Sequence, residues 1–227
     1  MEQEERSLSE KESLELITRM INKAKDTYYD TGVSAMMWGA VIAFCSLEKL
    51  AELQFGYQLP VDIFFLTFVA VIPQIYFSIK ESKEKKVKTY DDAYLDNIWW
   101  AFGISVFLMI LISNVIQNDL NPVIDKYNEL ANGRADWTQF RLGEYLLSFY
   151  LLLYGIPTYI TGAACKFKPM LWGGILCWAS CAAALFTPIK IDLLLTAISA
   201  IMAWFIPGIL MQQEYKKYKK EKAAQHV

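Results

Sequence analysis

The chain has 227 residues, 55% of them hydrophobic and 15% aromatic, and its apolar residues gather into six near-continuous runs of membrane-spanning size, which excludes an ordinary soluble domain. A net charge of −2 and a pI of about 5.6 leave no electrostatic footprint for nucleic acid. The four cysteines (Cys45, Cys165, Cys177, Cys181) lie within or beside apolar runs, and the single histidine, His226, is in the tail, so neither a disulfide framework nor a metal site is predicted.

Residues 1–30 form a charged arm without the short apolar core of a secretory signal peptide. Ser9 and Glu12 have capping-box spacing, and Leu14, Ile17, Ile21, Ala24 and Tyr28 recur at helical intervals. This predicts an amphipathic cytoplasmic helix that lies on the lipid bilayer, on the chain's own loops or on a protein partner. The apolar runs that follow, at 33–53, 60–79, 97–116, 143–164, 170–187 and 191–212, predict a transmembrane bundle over 31–213, with a basic tail at 214–227. Glu48, Lys49 and Glu52 fall in the last turns of the first run, which is expected to reach the interface there with Lys49 snorkelling. Between the third and fourth runs, residues 117–142 read as an outer loop carrying the turn signals Asn121-Pro122 and Asn132-Gly133.

Seventeen of the 22 basic residues fall in the arm, after the second and fourth runs, and in the tail. The other side receives Lys49, Lys126, Arg134, Arg141 and Lys190. By the positive-inside rule both termini are cytoplasmic.

An offset of 134 residues relates the first pair of runs to the last. Met36, Trp38, Gly39 and Ser46 match Met170, Trp172, Gly173 and Ser180, and Ile72-Pro73 matches Ile206-Pro207. Trp99-Trp100 and Ile156-Pro157 carry the pattern more weakly in the middle pair. The fold predicted is an all-α, six-transmembrane helical bundle built from three parallel helical-hairpin pseudo-repeats.

Pro73, Pro157 and Pro207 each remove a backbone bond inside a run and free the carbonyl four residues earlier, at Val69, Leu153 and Ala203. They mark packing kinks or hinges, and Gln74, Ser78, Thr158 and Thr161 lie close enough to act as local donors. Gln74 and Asn114, with the tyrosines of the fourth run, Tyr154 among them, are the candidates for a polar interior. Each even-numbered run begins with an acid, Asp62, Glu144 or Asp192. Helix capping explains all three, and a cation-attracting ring at an outer vestibule is the functional alternative. Small residues at Gly39 and Ala43, and at Gly173, Cys177, Cys181 and Ala184, predict close helix packing. The tryptophans opening the odd runs read as interface anchors, while Trp178 and Trp204 fall deeper and are expected to pack in the bundle.

Asp30-Thr31-Gly32 has the letters of an aspartic-protease signature but occurs once, and that chemistry needs two paired carboxylates. With no deep acid–base pair and no metal cluster, no catalytic, cofactor-binding or metal residue is assigned.

The segment Lys11-Glu12-Ser13-Leu14-Glu15-Leu16-Ile17, followed by Met20-Ile21, Ala24-Lys25, Asp30, Gly32 and Trp38-Gly39, resembles the N-terminal region of a family of uncharacterised multi-pass inner-membrane proteins from Bacteroidota. The resemblance covers residues 1–50 and implies a bacterial inner (plasma) membrane location. It supplies no activity, cofactor or site residue. Two functions fit these observations: a non-catalytic sensing, scaffold or regulatory protein acting on a cytoplasmic partner through residues 1–29 and the tail, as a monomer or homo-oligomer, or a small transporter or channel for a neutral or weakly polar solute.

Overall fold

The computed structural model describes residue 14 and residues 31–84, 90–130 and 142–224. Among these every regular element is helical: α1 (Val33–Phe55), a 3₁₀ turn (Ile63–Phe65), α2 (Leu66–Glu84), α3 (Tyr90–Leu130), α4 (Leu142–Ala164), α5 (Lys168–Ala184), α6 (Ile189–Ala200) and α7 (Ile206–Ala224). A π-helical turn (Ile201–Phe205) joins α6 to α7 without a break, so the last three segments make one rod, the sixth. Apart from Leu14, which is exposed, the expected N-terminal helix lies outside the described residues. So does the Asn132-Gly133 turn.

Local chemistry accounts for most of the boundaries. At the end of α1, Gly56 takes φ 73°, and its N–H bonds the Glu52 carbonyl, a left-handed cap that a residue with a Cβ adopts only at a cost. Asp62 starts the 3₁₀ turn by accepting a bond from the Phe64 N–H at 2.9 Å. The α4–α5 turn closes with Phe167 N–H on the Gly162 carbonyl and Lys166 N–H on that of Ala163. Lys166 occupies the left-handed position (φ 53°) usually given to glycine.

Two elements differ from the sequence expectation. Helix α3 runs through Asn121-Pro122 to Leu130, where a loop is expected from residue 117. Its 41 residues make a rod of about 60 Å, twice the hydrocarbon thickness. Pro122 has a φ compatible with helix, and beyond the apolar stretch water can satisfy the carbonyl that it frees. Helix α5 stops at Ala184, because Pro188 disfavours helical geometry at Thr187. Its 17 residues leave, among the described residues, five helices long and apolar enough to cross a membrane: those of α1, α2, α3, α4 and the final rod.

Packing is uneven. The final rod is central: half of its apolar window is buried within the chain, against 6% for α2 and for α3. It is held by α1, α4 and α5, whose closest partnership is between α4 and α5. Helix α2 packs mainly on α1, and α3 mainly on α4. The core is built from Ile42, Ala43, Met170, Cys177, Ala200, Ala203 and Trp204.

Candidate functional site

Pro207, fully buried, offers no N–H to Ala203. The rod opens just before it into the π turn, in which the Ile206 N–H reaches the carbonyl of Ile201, five residues back. Pro73 and Pro157 sit inside α-helices instead. The wide turn carries Trp204, which is buried. Its indole Nε1 donates to Thr158 Oγ1 at 2.7 Å, and that hydroxyl donates to the Tyr154 carbonyl at 2.6 Å. Thr158 thus satisfies the carbonyl next to Leu153's and fixes the indole of a second helix. Tyr154 lies 4.9 Å from Trp204 between ring centroids, and Trp99 and Phe102 of α3 each lie 6.3 Å away at steep angles, the edge-on geometry that aromatic quadrupoles favour.

Two glycines grip the same turn. A Cβ at Gly39 of α1 would stand 2.5 Å from the Phe205 nitrogen, and one at Gly173 of α5 would stand 2.5 Å from the Ala203 Cα. Backbone meets backbone on both sides, with no room for a methyl group. The pair related by the 134-residue offset therefore touches one element. Gly32, at φ 70°, closes on the Gly208 carbonyl beyond Pro207, and Ser199 and Ser180 share a hydrogen bond of 3.0 Å between the rod and α5.

The sequence candidates divide into separate groups. Tyr154, Thr158, Pro157 and Pro207 belong to the buried turn or its supports. Gln74 accepts a bond from Trp38 Nε1 at 3.0 Å, joining α2 to α1, with Pro73 half-buried beside it. Trp38 and Trp99 pack against the core, whereas Trp100 and Trp172 stay 73% and 65% exposed. Asn114 faces outward on α3, its amide donating to the Ile110 carbonyl of its own helix at 2.8 Å.

Charged residues gather at the opposite end from the tail. Lys49 turns back to pair with Glu52 at 2.6 Å and Asp62 at 3.7 Å, and Glu52, itself buried, accepts the Leu59 N–H at 2.7 Å. The Glu48 carboxylate accepts the Tyr57 hydroxyl at 2.7 Å, which holds that phenol above its usual pKa. Lys190 Nζ donates to Gln54, tying the start of α6 to the end of α1. Asp192 is fully buried and accepts from Thr187 Oγ1. Asp62 is engaged elsewhere, with the Phe64 N–H and Lys49, and the Glu144 side chain lies outside those described.

The buried Glu52 and the Trp204–Thr158 bond were not foreseeable as pairs, since each depends on which segments become neighbours. Among the described residues no group of three His, Cys, Asp or Glu side chains is placed to hold a metal ion. The arrangement's chemistry is positional: hydrogen bonds and close backbone contact hold the last rod at its weakest turn. Searches with family models, curated proteins and solved structures find no match to this chain.

Proposed function

We propose that this is a multi-pass protein of the bacterial inner membrane, with both termini cytoplasmic, that senses, scaffolds or regulates a partner through residues 1–29 and the basic tail, without catalysing a reaction. One observation carries the reading. The turn before Pro207, one of the three proline positions at which a solute path could open, is clamped by Gly39 and Gly173 too tightly to admit a methyl group. A rod that is sealed at mid-length and continues as unbroken helix to Ala224 is suited to relaying a change in packing to its cytoplasmic end, not to passing a solute.

Helix α5 serves as the sixth crossing in this reading. Support comes from its contacts with α4, where Gly162 meets Leu171, Gly174 meets Tyr159, and Gly155 meets Trp178. That sequence of pairs is an antiparallel register running along a helix already long enough to span.

Transport of a neutral solute is the competing reading, favoured by the buried prolines. Osmotic swelling of proteoliposomes in glycerol and urea separates the two. Swelling no faster than in protein-free vesicles is expected; solute-selective swelling that G39A alters would overturn the closed-core reading.

A further inference from the structure

At the end of the bundle where the tail emerges, residues of α2, α7 and the start of α1 line a cavity of about 320 Å³. Its wall combines apolar Val33 and Phe77 with the cations Lys80, Lys216 and Lys219, and it includes Thr31, Gln212 and Tyr215. Among the described residues the wall has one carboxylate, Glu81, which accepts a hydrogen bond from the Thr31 hydroxyl. Three cations of the described lining thus face one acid that already has a hydroxyl partner, and Lys216 donates to Gln212 of its own helix at 3.4 Å.

The spacing shows which lysines matter. Gln212, Tyr215, Lys216 and Lys219 lie on one face of α7 at intervals of three and four residues, as do Phe77, Lys80 and Glu81 on α2. Lys217 and Lys220 belong to the same tail but do not line the cavity. Depth is fixed by hydropathy. The apolar stretch of α2 ends at Ile79 and that of α7 at Met211, so the lysines begin just past the hydrocarbon edge, where lipid phosphates lie. The volume suits a phosphate with its glycerol, while the acyl chains stay in the bilayer below Val33 and Phe77.

We propose that this cavity binds the phosphate headgroup of an anionic phospholipid, held by Lys80, Lys216 and Lys219. The proposal deepens the membrane reading above and rests on it, but not on the regulatory role. A lipid seated between α2 and α7 bridges a peripheral helix to the central rod, and so gives membrane composition a contact on the element that carries the tail.

Native mass spectrometry of the full chain, released from micelles doped with equal phosphatidylglycerol and phosphatidylethanolamine, tests it. Retained phosphatidylglycerol adducts are expected. In K216Q/K219Q the preference should fall about thirtyfold, at about fivefold per lysine. The variant K217Q/K220Q, with the same charge change on the same helix, should keep it. Equal loss in both variants, or no preference in the wild type, would overturn the proposal, as would inorganic phosphate adducts without lipid preference. A chain that fractionates away from membranes overturns the membrane reading as well, whereas a membrane-embedded chain with no anionic preference overturns only this site.

Discussion

Thr158 uses both capacities of its hydroxyl, accepting from Trp204 and donating to the Tyr154 carbonyl. Replacing it with valine keeps the shape and leaves a buried indole N–H without its acceptor. T158V is therefore expected to destabilise the protein in detergent, and a double-mutant cycle with W204F should give a coupling of about 0.6–2 kcal/mol, read from denaturation midpoints. A second residue-scale test uses Cys165 in the α4–α5 turn, whose thiol burial pushes up to about 12. The folded state favours the protonated form, so this stabilisation is complete below the ordinary thiol range and is lost as pH rises through about 12. Iodoacetamide alkylation of Cys165 in a background lacking the other cysteines should still be accelerating across roughly pH 10–11, where an exposed thiol has levelled off. At this scale the sequence was informative about position and silent about partners. Pro207 announced a disturbed turn and Trp204 a deep side chain, but nothing local indicated that the indole would find Thr158, 46 residues away.

The elements add constraint through what they lack. Gly39 and Gly173 bring α1 and α5 onto the π turn, so G39A and G173A should each cost about 1–3 kcal/mol through forced backbone separation. Gly103 supplies the control. A Cβ there meets nothing within 4 Å in the interior of α3, and G103A should be neutral or stabilise by about 0.5–1 kcal/mol. Thermal unfolding of the three variants in one detergent checks both signs. The 134-residue offset made these two glycines conspicuous and the small-residue stripes marked close packing. Their shared partner was not legible, because a repeat in sequence says which positions are alike and not which third element they meet. The extension of α3 past Pro122 was hidden for a related reason: proline blocks one backbone bond, and outside the apolar stretch water replaces it.

At the scale of the whole molecule, the described helices place one rod against α1, α4 and α5, with α2 packed mainly on α1 and α3 mainly on α4. Hydropathy located the apolar segments but not this order, since a lipid-facing surface and a protein interior are about equally apolar. Thus α2 and α3, each 6% buried over the apolar window, read much like the final rod, which is half buried. Charge was the better guide to the ends, where lysines mark the tail side and Lys49, Glu52 and Asp62 form a linked cluster at the other. On the proposed reading a closed core serves a cytoplasmic output, and the protein works by holding a partner there. Native mass spectrometry of the full chain and of a variant lacking residues 1–29, each extracted gently from its own membranes, distinguishes a held partner from a carried solute. A co-purifying protein on the full chain, lost from the truncated one while both remain folded, is the expected result. A full chain that carries only a small solute, retained equally without residues 1–29, would contradict it.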